Sequence, residues 1–156
     1  MKKSAVIVAL AQLFLLATLT APRQAVADTL SLDIGLTAHH FNRDTVRRED
    51  LNEVNPGLGL RWTSGDYHRM AGVYRNSIRR TSAYALLGYT PIHAGPLSLG
   101  VVAGAVTGYG KPYMAAAGFY AVAQVTSRAA VVLTVVPTID SQDVDGFAGF
   151  QVSITF

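Results

Sequence analysis

Residues 146–156, at the end of the chain, constrain the fold more than any other stretch. Ala148, Phe150, Val152, Ile154 and Phe156 fall on one face, and Gly149, Gln151, Ser153 and Thr155 on the other. A period of two marks a strand with one apolar and one polar side. The same rule holds further upstream, where Leu30, Leu32, Ile34, Leu36 and Ala38 alternate with Ser31, Asp33, Gly35, Thr37 and His39. In water the apolar face of such a strand packs inward. In a bilayer the order inverts: the apolar face meets lipid and the polar face lines a lumen. The alternation alone fits both.

The first residues read as an export signal. Lys2 and Lys3 precede an apolar run from Ala5 to Thr20, and Ala25-Val26-Ala27 forms a small-residue cleavage site. We therefore expect a cleaved signal peptide over residues 1–27 and one folded domain over 28–156. A retained anchor would need a longer apolar run. Without Lys2, Lys3 and Arg23, the thirteen basic residues fall to ten, matching the ten acidic ones. No global positive field is left to attract nucleic acid, which is not expected as a partner. The chain has no cysteine, so burial and hydrogen bonds alone must hold it together. Past the leader no apolar run is long enough to predict a transmembrane helix.

Eight strands are predicted, over 29–40, 57–63, 67–76, 82–92, 97–107, 113–125, 129–136 and 146–156. They are rich in Val, Tyr, Phe, Thr and Ala. Joins after the second, fourth and sixth are short: Ser64-Gly-Asp66, His93-Ala-Gly-Pro96 and Thr126-Ser-Arg128. Joins after the first, third, fifth and seventh are longer or more polar, the first (41–56) and the last (137–145) most clearly. Tight turns on one rim and longer loops on the other are the habit of bacterial membrane barrels. The expected fold is all-β, an eight-stranded antiparallel transmembrane β-barrel of the bacterial outer membrane. Closure would satisfy every backbone group, as lipid requires. Eight strands leave a narrow interior, filled by side chains or wide enough for one slender ligand. Glycines at 57, 59, 72, 88, 100, 104 and 118 read as barrel curvature rather than ligand contact.

Sequence signatures of chemistry are sparse. The four histidines lack metal-site spacing, and nucleophile-elbow, phosphate-loop and dinucleotide motifs are missing. No metal or cofactor is expected. By strand parity His39 points into the lumen and His40 toward lipid. In the third strand Arg69, Ala71, Val73, Arg75 and Ser77 share a face. An Arg against lipid at the midplane costs about 2–4 kcal/mol, which assigns this face to the lumen. His39 and Ser77 then converge inside the long-loop rim, where an imidazole can activate a hydroxyl. The plain alternative is two ordinary polar lumen residues.

An ordered series of short matches resembles the PagP family of outer-membrane lipid A palmitoyltransferases. It comprises His39-His40 closing the first strand, Asn52-Glu53 and Pro56-Gly-Leu-Gly-Leu-Arg-Trp62, and Gly72-Val-Tyr74 leading to Asn76-Ser77. Gly88-Tyr89, Leu97-Ser-Leu-Gly100, Ala103-Gly-Ala-Val-Thr107 and the terminal Phe156 follow. The resemblance implies transfer of a palmitoyl chain from a phospholipid to lipid A in the outer leaflet, by a monomer that needs no cofactor. It maps the family's essential His, Asp and Ser onto His39 (or His40), Asn76 and Ser77. Two features depart from the pattern: Asn76 stands where the family has a carboxylate, and no amphipathic helix precedes the barrel. Asn can orient a neighbour but cannot act as a base. In a lipid A setting Arg43, Arg47, Arg48, Arg79 and Arg80 would bind phosphates; otherwise they are solvated loop charge. Two other readings stand beside this one, a small barrel without chemistry and a soluble periplasmic β-protein.

Overall fold

The computed structural model describes residues 28–138 and 145–156. The expected leader over 1–27 and part of the last loop lie outside the described residues. The strands are β1 (Thr29–His40), β2 (Val54–Ser64), β3 (Tyr67–Arg75), β4 (Thr81–Ala94), β5 (Leu97–Val106), β6 (Met114–Gln124), β7 (Ala129–Val136) and β8 (Phe147–Thr155), with a short helix α1 (Arg43–Glu49) after β1. Each strand pairs antiparallel with the next, and β1 pairs with β8, closing the barrel. Strands of 8 to 14 residues bracket the roughly 9–11 that a tilted strand needs to cross a bilayer.

The rims differ as the loop lengths predict. Gly65-Asp66 joins β2 to β3 and Gly95-Pro96 joins β4 to β5. Gly65 and Gly95 both have φ +57, a conformation a Cβ would strain and tight hairpins require. The opposite rim carries the connection after β1, and here a stretch expected as loop contains α1. Asn42 caps that helix, accepting from the N–H groups of Asp44 (3.1 Å) and Thr45 (3.2 Å). It ends at Asp50, whose backbone is left-handed.

The side chains are arranged inside out. Leu58, Leu60, Trp62, Val73, Leu87, Val101, Phe119, Phe150 and Ile154 are exposed on the outer wall. Ser31, Asp33, Arg61, His68, Thr90 and Ser153 are buried in the lumen. Apolar Met70, Val102, Tyr120, Val122, Ala130 and Val132 fill the space beside them, so the interior is packed by side chains. His68 ties its end of the lumen together, with Nδ1 3.0 Å from Thr63 Oγ1 and Nε2 2.8 Å from Thr90 Oγ1. Two lumen glycines serve packing: a Cβ on Gly59 would lie 1.9 Å from the Tyr84 hydroxyl, and one on Gly72 2.7 Å.

Both prolines inside strands sit where the ladder slips. Between Gly35 and Thr37 of β1 the register shifts against β2 and β8, and Pro56 lies in the facing part of β2. Between Tyr89 and Ile92 the register with β5 shifts at Thr90-Pro91. Proline has no N–H for the ladder, so such slips are where a strand tolerates it.

The β3 face that lines the lumen is the opposite of the one expected. His68, Met70, Gly72 and Tyr74 turn inward, while Arg69, Ala71, Val73 and Arg75 are exposed outside. The midplane cost does not apply, because the two arginines stand near opposite ends of the strand. They lie six positions apart, roughly 20 Å of extended chain. Close to an interface an outward Arg costs only about 0–1 kcal/mol, and its stem can snorkel to the headgroups. Arg69 is paired with Trp62 in the ladder, and Tyr67 stacks on Tyr89 at 4.7 Å, so aromatic rings mark this interface.

Candidate functional site at the long-loop rim

β1 delivers a histidine to the long-loop rim, but not the expected one. The slip between Gly35 and Thr37 leaves both Leu36 and Thr37 exposed and reverses the parity beyond them. His39 therefore points outward, with 59% of its side chain exposed, while His40 is buried at 7%. The His40 ring lies 5.7 Å from that of Phe147.

Both imidazoles stand near the carboxylate of Glu53, a residue no spacing rule singles out, without a hydrogen bond from His40 Nδ1. Its Oε1 lies 3.7 Å from Nδ1 of His39 and of His40 and accepts the backbone N–H of His40 at 2.9 Å. Arg43 grips the same carboxylate with both ends of its guanidinium, at 2.5 and 2.9 Å. Hydrogen bonding to Arg43 above all holds the Glu53 carboxyl well down, to about 2. The site thus has an ionised carboxylate fixed between a buried histidine and an arginine. The only sequence trace of it is the Asn52-Glu53 pair.

Asn76 and Ser77 lie on the same rim, one strand over. Asn76 is fully buried and occupied at both ends of its amide. Nδ2 donates to Ser82 Oγ (2.9 Å) and the Gly108 carbonyl (3.1 Å), while Oδ1 accepts from the N–H groups of Ile78 (3.1 Å) and Arg80 (2.8 Å). It organises the turn between β3 and β4. Ser77 is half-buried, and its carbonyl accepts the N–H of Asn52 at 2.7 Å. This tie brings Ser77 beside the Asn52-Glu53 segment. Among the described residues no hydrogen bond joins the Ser77 hydroxyl to either histidine.

The arginines share this rim and are largely engaged. Arg43 is held by Glu53, Arg48 lies 3.2 Å from Glu49, and Arg79 lies 3.0 Å from Asp50. Arg47 stands 3.8 Å from Asp44 and is 82% exposed. Arg80 is exposed with no ion pair among the described residues. These residues hold no three-ligand cluster suited to a metal.

Fold and surface define a class: a small β-barrel of the transmembrane type, apolar without and packed within. In two solved structures the same architecture was made by design. A chain described as "De novo design of transmembrane beta-barrels" superposes with TM-score 0.64 at 14% identity, covering 85% of this chain and 100% of that one. The solution NMR structure of the de novo designed TMB2.3 gives TM-score 0.57 at 17% identity, covering 81% and 94%. Neither a protein-family model nor a curated protein matches the sequence.

Proposed function

We propose that this barrel resides in a bacterial outer membrane and acts at its long-loop rim, moving an acyl chain from a phospholipid to lipid A. One observation carries the reading: a buried imidazole, His40, stands beside a carboxylate fixed by Arg43, with Ser77 tied to the neighbouring residue. A carboxylate so placed stabilises the imidazolium that forms when the ring takes a proton. His40 then serves as base in place of His39, Glu53 as orienting carboxylate in place of Asn76, and Ser77 as hydroxyl. Because the lumen is packed, the acyl chain runs along the outer wall. A shallow apolar groove lined by Leu32, Leu58, Leu60, Ala71 and Val73 crosses the strands that carry these residues. The exposed Arg47 and Arg80 face lipid A phosphates. The test is a mass spectrum of lipid A from cells that lack their own acyltransferase and express this chain. One acyl chain of added mass is expected, lost in His40→Ala and in Ser77→Ala; lipid A of unchanged mass rejects the reading.

The occupied Asn76 amide and the packed lumen favour a second reading, a barrel without chemistry that presents α1 and its loops at the cell surface. Unchanged lipid A together with an altered surface phenotype on deletion would select it.

A further inference from the structure

We propose a hydrolytic site at the opposite, short-turn rim, with Ser98 as nucleophile, His93 as its base and Asp66 orienting the imidazole, acting on short-chain acyl esters. It uses none of the residues of the long-loop rim and stands apart from the reading given for them.

Two neighbouring turns build it. His93 and Ser98 face each other across the β4–β5 hairpin as ladder partners. Ser98 shares its face of β5 with Gly100 and the lumen residue Val102, so the pair lies at the mouth of the barrel. Asp66 comes from the β2–β3 turn, which is pinned to β4 because its carbonyl accepts the Thr90 N–H at 2.9 Å. The side chains form a continuous relay: Asp66 Oδ1 to His93 Nε2 is 2.9 Å, and His93 Nδ1 to Ser98 Oγ is 3.0 Å. With the Nε2 proton directed to the carboxylate, Nδ1 is left to accept the serine proton, the division of roles that activates a serine. The relay is within reach of water, its histidine 53% and its aspartate 28% exposed.

Ser98 also borders a hollow. It is open at the barrel mouth, has a volume of about 400 Å³, and is lined by Pro96, Val122, Gln124 and Val125 among others. That room suits a small acyl group against an apolar wall. Gln124 donates one Nε2 hydrogen to the Thr126 carbonyl at 2.8 Å and keeps its second for a developing oxyanion. In the reaction Ser98 Oγ bonds to the ester carbonyl carbon while its proton passes to His93. The carbon–oxygen bond to the alcohol breaks, and the departing oxygen takes that proton. Water, deprotonated by His93, then cleaves the acyl-serine to free acid and restores the enzyme.

The test uses the full chain purified in detergent, a fluorophosphonate reagent and p-nitrophenyl butyrate. Peptide mass spectrometry is expected to place the phosphonate on Ser98, with ester hydrolysis falling at least about 100-fold in Ser98→Ala and His93→Ala. Labelling of the unmodified chain does not depend on any variant folding. Phosphonate absent from Ser98, or found on Ser77 instead, overturns the proposal, and so does hydrolysis that survives in folded Ser98→Ala. Unlabelled protein whose Ser98→Ala variant merely unfolds more readily identifies the relay as a hairpin staple and overturns it too.

Discussion

Arg61 of β2 and Asp33 of β1 meet inside the barrel, Nε to Oδ2 at 3.3 Å, with side chains only 4% and 2% exposed. Arg61 also donates to Ser153 of β8, so one guanidinium links three adjacent strands across the closure. Leaving either charge buried alone costs about 3–5 kcal/mol, whereas replacing both by apolar groups of like volume is close to neutral. Asp33→Ala is therefore expected to lower stability by that amount in urea unfolding from lipid vesicles, and the double variant Asp33→Leu/Arg61→Met to recover most of it. A single variant as stable as the parent would show that the pair does not hold the closure.

Tyr84 reaches across the lumen onto β2 and β3, where Gly59 and Gly72 leave room for its hydroxyl. Gly59→Ala should cost about 1–3 kcal/mol, the usual range for overpacking. Tyr84→Phe removes the atom that a new Cβ meets at 1.9 Å, but the ring carbon at 3.0 Å stays. Combining the two changes should thus relieve part of the cost, read as a favourable coupling in a double-mutant cycle. Additive effects would place Tyr84 elsewhere.

Placing a carboxylate at position 76 should harm the protein rather than activate it. Asn76→Asp deletes the donors to Ser82 and the Gly108 carbonyl and sets a buried negative charge against that carbonyl. A loss of about 1–3 kcal/mol or more is expected, seen as a lower unfolding midpoint with no gain in acyl transfer. Undiminished stability with a gain of transfer would make Asn76 a crippled catalytic position instead of a turn organiser.

The clamp at Glu53 sets a pH window. Its folded value of about 2 lies below the usual 4.5, so the stabilisation is complete above 4.5 and is lost as the pH falls toward 2. The pair stands at a solvent-facing rim, where screening by water keeps its contribution small. NMR titration of the carboxyl should give a midpoint near the depressed value, and Arg43→Ala should move it back toward 4.5. Faster exchange of the His40 N–H, which Glu53 accepts at 2.9 Å, should accompany protonation.

The barrel was legible because alternation survives in the strands that close it. β1 and β7 have the predicted bounds, with Asp28 just before Thr29 and Pro137 just after Val136. Pro56 and Pro91 mark ladder slips, but a slip hides its effect on parity, which is why His39 and His40 exchange places. In β3 the two faces are equally mixed in sequence, His68 and Met70 against Arg69 and Ala71, so only depth along the strand separates them. The Glu53 clamp joins residues brought together by α1 and the closing of a rim. The relay at the other rim joins two turns that the sequence marks plainly, with nothing to say that they touch.

The irregularity between Gly35 and Thr37 has one more effect. Because two histidines, His39 and His40, follow one another beyond it, the doublet offers an imidazole to either side of the wall. A mutation that erased the kink would swap the roles of the two rings without emptying the inner position, so this strand can tolerate a one-residue slip that would disarm a barrel with a single histidine there.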